Sequence, residues 1–223
     1  MVWVFIYEAV VNLNMIDNTL IVVTTDHGHA IGDNNYMGKR GYPSSPELFN
    51  IPIFLRHPDD ELGRGKYSNI LVQHTDITAT ILDIIGIKKI DYNERPLYIG
   101  MNEMRYNPKP ENSEMHGRSF FKTLLDNKEK FRDYVTIGWG SAITVITDNW
   151  WFNSRVNGKG VFLYDLKSRD PFGKNVAEDS IDVVNELYNL ALRDAGGTFP
   201  DYLIEFADNE EDAPGCSELV ART

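Results

Sequence analysis

An α/β fold opens this chain, and three observations predict it. The run Thr19-Leu-Ile-Val-Val-Thr-Thr25 is apolar and β-branched almost without alternation, as in a strand covered on both faces in a parallel sheet. Ile51-Pro-Ile-Phe-Leu-Arg56 is a second such run. Helical spacing brackets the two: Ile6, Ala9, Val10 and Leu13 fall on one helix face, and Ile77, Ile81, Ile84 and Ile85 on another. Helix, strand, strand and helix in that order predict part of a mostly parallel sheet flanked by helices.

Each element has its punctuation. Asp17-Asn18 turns the chain between the first helix and its strand, Thr75 is placed to cap the second helix, and Gly86 is placed to end it in a left-handed conformation. From Asn93 to Pro110 the chain is polar and proline-bearing with no sustained period, which predicts a long surface loop and a boundary near residue 110. Beyond it, short β-prone runs at Tyr134 to Trp139, Ala142 to Thr147, Trp150 to Arg155 and Val161 to Leu166 alternate with turn signals at Gly140, Asp148-Asn149 and Asn157-Gly158. An amphipathic helix follows, with Ile181, Val184, Leu187, Tyr188 and Ala191 on one side and Gly196-Gly197 past its end. Residues 111–223 therefore read as a small antiparallel sheet with a C-terminal helix, an α+β unit ending in an acidic tail.

Composition limits the partners. With 33 acidic against 22 basic residues the formal charge is -11, which opposes a phosphate backbone, so no nucleic acid partner is expected. No apolar run is long enough to predict a membrane span. The single cysteine, Cys216, excludes an internal disulfide framework.

The densest cluster of reactive side chains begins where the first strand ends: Asp26-His27-Gly28-His29-Ala30-Ile31-Gly32-Asp33-Asn34-Asn35-Tyr36-Met37-Gly38-Lys39-Arg40. Ligands of open α/β sheets bind beyond the carboxyl ends of strands, which is where Asp26 and His27 fall. A glycine at 28 frees the backbone to turn so that the two adjacent side chains can converge. A carboxylate and an imidazole together make part of a metal site, although an aspartate there also serves as a turn former and a histidine as a satisfied polar residue. Two ligands do not complete a hard-cation site, which takes about six donors.

Asp26-His27-Gly28-x-x-x-Gly32-Asp33 followed by Gly38-Lys39-Arg40 resembles the second metal-binding segment of the sulfatases, a family of the alkaline-phosphatase superfamily. Three further stretches are similar to that family in the same order: His74-Thr-Asp-Ile-Thr-Ala-Thr-Ile-Leu-Asp-Ile-Ile-Gly86, His116-Gly-Arg-Ser119, and Leu163-Tyr-Asp-Leu166 with Asp170-Pro171 and Asn175. The resemblance implies that residues 1–110 are the C-terminal part of a catalytic α/β domain and residues 111–223 its small C-terminal subdomain. It implies Asp26 and His27 as ligands of a divalent metal, calcium by family expectation with manganese or magnesium as alternatives. It implies Lys39 as a catalytic contact to the sulfate oxygens, with His29 on the substrate side. His29 stands where the family commonly has Glu, Asn34-Asn35 where it has His-Gly, and many members have Asn at the position of His27.

The activity so implied is hydrolysis of a small-molecule or carbohydrate sulfate ester. A phosphonate or phosphodiester hydrolase of the same superfamily, or a non-catalytic binding or assembly remnant, are the alternatives. The family nucleophile is a formylglycine made from Cys-x-Pro-x-Arg or Ser-x-Pro-x-Arg, a motif this sequence does not contain; Cys216 is followed by Ser217-Glu218. The chain is accordingly expected to be a fragment that is inactive alone, with the formylglycine and further metal ligands in an N-terminal half that is one of its expected partners.

Overall fold

A computed structural model of the chain describes residues 2–32, 37–39, 41–63, 65–87 and 117–209. It is a mixed α/β structure of two compact units, Met1–Lys66 together with Arg132–Thr223, and Tyr67–Phe131. The predicted loop from Asn93 to Pro110, together with His116, Asp33 to Tyr36, Arg40 and Cys216, lies outside the described residues.

In the first unit, helix α1 (Val2–Asn12) leads to strand β1 (Ile21–Val23), which pairs with β4 (Phe54–Arg56) in the register Ile21 to Arg56 and Val23 to Phe54. The pair is antiparallel. A continuous apolar run says nothing of strand direction, and here the 24–53 connection returns the chain so that the strands oppose; nor are both faces covered, since Phe54 of β4 is exposed. Among the described residues every strand pairing is antiparallel. Between β1 and β4 lie a two-residue hairpin, β2 (Ala30–Ile31) with β3 (Met37–Gly38), and the short helix α2 (Pro46–Phe49).

The later part of this unit follows the sequence closely. Strands β5 (Tyr134–Trp139), β6 (Ala142–Thr147), β7 (Trp150–Arg155) and β8 (Phe162–Asp165) form one antiparallel sheet in chain order. Gly158 takes a φ of 76° in the turn after β7, the left-handed conformation that an Asn-Gly turn demands. Alternation sorts the sheet's side chains. Ile143, Val145, Phe152 and Leu163 join Leu187 and Ala191 of helix α5 (Ile181–Asp194) in the apolar core. Ala207 of helix α6 (Asp201–Asp208) closes that core. Helix α6 is not among the elements expected from the sequence; it is eight residues long and no side chain caps its start.

The opposite side chains of the same strands make a polar layer. Thr144 and Asn153 face each other across the ladder, and the loop residue Ser44 sits against both. Asn153 Oδ1 accepts from the Ser44 N–H at 3.0 Å, from Thr144 Oγ1 at 2.9 Å and from Ser44 Oγ, while Trp151 Nε1 donates to Ser44 Oγ at 3.2 Å. Ser44, Thr144 and Asn153 are all buried.

The second unit is built on α3 (His74–Ile84). Its N-cap is Gln73 rather than the expected Thr75: Asp76 at the third helical position accepts the Gln73 N–H at 2.7 Å, closing a capping box. The other Asp76 oxygen accepts the Arg118 N–H at 2.9 Å, Thr80 Oγ1 accepts the Phe120 N–H at 3.0 Å, and Ser119 Oγ donates to Asp83 at 2.6 Å. A row of polar side chains on α3 thus binds two backbone N–H groups and one hydroxyl of 118–120, which leads into helix α4 (Phe121–Leu125). Gly86 ends α3 with a φ of 79° as expected.

Asp76→Ala removes the acceptor of two backbone N–H groups from a fully buried position. The expected loss is about 2–3 kcal/mol of stability. Urea denaturation monitored by circular dichroism measures it, and an unchanged midpoint would show that the carboxylate holds nothing together.

Candidate metal and anion site

The site starts where β1 stops. Thr24 Oγ1 donates to the Pro52 carbonyl at 3.0 Å, fixing the strand exit to the segment leading into β4. Thr25 Oγ1 donates to the His27 carbonyl at 3.1 Å, and the His27 N–H donates to Asp26 Oδ1 at 3.0 Å. These bonds tighten residues 25–27 into a turn that swings Asp26 and His27 to one side. Their side chains meet, with His27 Nε2 3.3 Å from Asp26 Oδ2. The backbone N–H of His27, the nearby imidazole and Thr25 together hold the Asp26 carboxyl below its ordinary range, so it is ionised at neutral pH.

The tautomer follows from geometry. His27 Nδ1 lies 2.7 Å from the Gly28 carbonyl, which can only accept, so Nδ1 carries a proton. In the neutral ring Nε2 is then a lone pair, and it faces an ionised carboxylate oxygen. Two acceptors at 3.3 Å repel unless a positive charge sits with them, either a proton on Nε2 or a shared cation. Two donors each about 2.4 Å from one ion and at right angles to each other lie about 3.4 Å apart, so the observed spacing fits a cation held by both. A metal-binding histidine whose other nitrogen donates to a backbone carbonyl is the usual second-sphere arrangement. The donor chemistry therefore fits a divalent cation as far as two ligands go. Among the described residues no group of three or more His, Cys, Asp and Glu side chains gathers around one point.

Gly28 serves this turn by close approach. It is not among the glycines with positive φ, contrary to the expectation that it frees a sharp turn; instead its N–H donates to the Leu48 carbonyl at 2.7 Å, and a Cβ there would stand 1.8 Å from the Glu47 carbonyl oxygen. The site turn thus lies directly on α2.

His29 and Lys39 flank the last hairpin pair, Ala30 with Gly38, and so stand at the same end of the β2–β3 ladder. Both are exposed. Among the described residues no hydrogen bond or ion pair joins either to Asp26 or His27. Gly38 takes a φ of 119°, bending the chain just before Lys39, a conformation that glycine adopts readily. His74, the first residue of α3, is exposed in the other unit.

The aromatic cluster divides between the two faces of the sheet. Phe152 lies in the apolar core with Trp150 packed against it, and Trp151 turns to the polar layer. Trp139 reaches the site itself: its ring centroid lies 6.2 Å from that of His27 in an edge-to-face arrangement and 5.8 Å from that of Phe49.

Known proteins resemble this chain in sequence and in fold. A sequence model of the sulfatase family matches residues 6–87. Segment 6–87 is thus similar to sulfatase sequence. Over 70 residues, 31% of this chain and 13% of the relative, the chain is 34% identical to the multifunctional alkaline phosphatase superfamily protein PehA of Trinickia caryophylli. It is 27% identical over 128 residues to the extracellular sulfatase SULF-1 homolog of Drosophila melanogaster, covering 57% of this chain and 9% of that one. Its fold is similar to that of the phosphonate monoester hydrolase SpPMH from Silicibacter pomeroyi, with a TM-score of 0.64 and 16% identity over 87% of this chain and 38% of the other. The chain thus spans a minor part of the length of each.

The four sulfatase-like stretches divide by role. Asp76, Thr80, Asp83 and Ser119 brace the second unit as described. Asn175 pins β8 by accepting the Leu163 and Ala177 N–H groups at 2.8 and 3.1 Å and donating to the Val161 carbonyl at 3.0 Å. Asp165 accepts the Lys167 N–H at 2.8 Å in the turn beyond β8. Among the described residues the first stretch brings Asp26 and His27 together at the end of β1.

Gly28→Ala forces the site turn off α2. The expected result is at least tenfold weaker divalent-metal binding with helical content kept, read by titration calorimetry beside circular dichroism. Unchanged metal affinity would show that the close approach has no bearing on the site.

Proposed function

We propose that this chain is part of a sulfuric ester hydrolase in which Asp26 and His27 ligate a divalent cation and Lys39, aided by His29, binds the sulfate group. The observation that carries the reading is the convergence of His27 Nε2 and Asp26 Oδ2 at 3.3 Å, fixed by a Gly28 carbonyl that claims the other ring nitrogen. The sulfatase match over residues 6–87 gives that pair its chemical context. The ion is calcium by family expectation, with manganese or magnesium able to take the same carboxylate.

When bound, the cation supplies Lewis-acid polarisation of a sulfate oxygen and offsets negative charge as the ester S–O bond breaks. The residues of this chain hold and orient. Asp26 keeps its carboxylate available because the His27 N–H already stabilises the ionised form. Lys39 offers an ammonium to an anion at the open end of the hairpin, where His29 adds a ring nitrogen that can donate. Water is consumed overall, and the alcohol and inorganic sulfate are the products.

The nucleophile belongs to the rest of the proposal: a formylglycine and further metal ligands on an N-terminal half, together with strands that extend β1 and β4 into a mostly parallel sheet. Residues 1–110 then form part of that catalytic domain and residues 111–223 its C-terminal subdomain. The substrate is a small-molecule or carbohydrate sulfate ester. No described helix is long and apolar enough to cross a membrane.

The test uses the chain itself. Mn2+ binding followed by electron paramagnetic resonance is expected to weaken at least tenfold in both Asp26→Ala and His27→Ala, and an affinity indifferent to both substitutions sinks the metal assignment. With metal present, Lys39→Ala is expected to weaken binding of 4-nitrophenyl sulfate about tenfold, whereas equal loss of 4-nitrophenol binding would show that Lys39 does not read the anion. The chain by itself is expected to release no 4-nitrophenol from that ester. Steady release matching that of a phosphonate monoester would favour a phosphonate hydrolase.

A further inference from the structure

We propose that Trp139, on the antiparallel sheet, is a positioning residue for His27 and makes that sheet a working part of the metal site. The inference rests on the reading of Asp26 and His27 as metal ligands and goes beyond it, because Trp139 lies 112 residues further along the chain and offers no ligand atom of its own.

Three contacts define the position. The Trp139 ring meets His27 edge-to-face at 6.2 Å between centroids, and Phe49 meets the indole from α2 at 5.8 Å. The third is Gly41, where a Cβ would stand 1.8 Å from the indole ring, so the indole fills the space that a side chain at 41 would need. The indole is therefore wedged between α2, the 41–45 loop and the imidazole.

An imidazole turns about two side-chain torsions, and turning the ring over puts Cδ2 where Nδ1 was and Cε1 where Nε2 was. A metal site needs one of these orientations. The Gly28 carbonyl selects it with a single hydrogen bond to Nδ1. An aromatic wall beside the ring resists the swing that would break that bond, and edge-to-face ring pairs add attraction beyond the area they bury. Trp139 thereby keeps Nε2 on Asp26 Oδ2 before any ion arrives. The order of β5 supports the placement: Trp139 pairs with Ala142, so it shares the sheet face of Thr144 and Asn153, which hold Ser44 and with it the loop carrying Gly41.

The experiment reads orientation and affinity separately. In metal-free protein labelled with nitrogen-15, the two His27 ring nitrogens, assigned by their loss in His27→Gln, are expected to show one ring orientation in which Nδ1 donates to the Gly28 carbonyl. Trp139→Ala is expected to lose that single orientation and weaken Mn2+ binding about tenfold or more, the range for loss of a second-sphere contact. Trp139→Phe keeps an aromatic wall and is expected to hold the single orientation and stay within threefold of wild-type affinity. Should Trp139→Ala not fold, Trp139→Leu serves in its place. A single orientation and wild-type affinity in the aliphatic variant overturn the proposal and leave the metal site standing. Wild-type protein that binds no Mn2+ removes the metal reading, while the Nδ1 hydrogen bond still decides whether Trp139 orients His27.

Discussion

The contact on which the first unit depends is a buried exchange of polar groups at Ser44. Residues 41–45 cross the open face of the β5–β8 sheet, and an ordinary loop there would bury unsatisfied backbone. Asn153 resolves the conflict: one amide oxygen takes the Ser44 N–H and shares two hydroxyl protons with Ser44 and Thr144. Reversing the Asn153 amide would set its NH2 against the Ser44 N–H, so the orientation is determined by its neighbours. Its own Nδ2 is then left buried without a hydrogen-bond partner, an energetic cost that the three bonds on the oxygen outweigh.

Everything that shapes the site hangs from this attachment. The loop that carries Ser44 runs into α2, whose Glu47 and Leu48 carbonyls receive the Gly28 turn. At its start, Gly41 admits the Trp139 indole, and the Tyr42 hydroxyl donates to the Gly160 carbonyl while the Arg155 guanidinium lies 4.8 Å from its ring. The carboxylate and imidazole are exposed or partly so, with side chains 83% and 21% accessible, yet what directs them is tied to a buried network of Ser44, Thr144 and Asn153. A reactive pair can face solvent and keep its geometry because its supports are buried.

The sequence carries the later sheet almost strand for strand, since alternation in β5 to β8 is fixed by one apolar core and by turns with explicit residue signals. It carries the Asp26 and His27 pair because adjacent ligating side chains after a strand need no tertiary knowledge to notice. It does not carry strand direction in β1 and β4, where an apolar run is compatible with either sense. Nor does it reveal Ser44, a loop serine like any other until Asn153 is brought to it across 109 residues. Trp139 shows the same limit from the other side: its aromatic character is plain in the sequence, but whether it packs in a core or against an imidazole depends on which face of β5 it takes. Asp76 and Asn175 belong to stretches that look like sulfatase signatures, and their bonds show that a signature can be a record of backbone bracing as readily as of catalysis.

The two regions of the first unit satisfy their apolar residues differently, and the contrast explains where the reactive turn sits. The β5–β8 sheet closes one face against α5 and α6 and the other against the 41–45 loop, leaving Val145, Phe152 and Leu163 wholly buried. In α1, just past its end and in β4, the apolar side chains Phe5, Leu13 and Phe54 stay 70%, 68% and 65% exposed. A turn whose geometry must be held within a few tenths of an ångström is best anchored to the region that is already closed, because a packed interior transmits displacement instead of absorbing it. Gly28 lies against α2 and His27 against Trp139, both on that side, whereas β1 contributes the backbone direction from which Asp26 emerges. The site is thus delivered by an open α/β element and held in register by a closed antiparallel one.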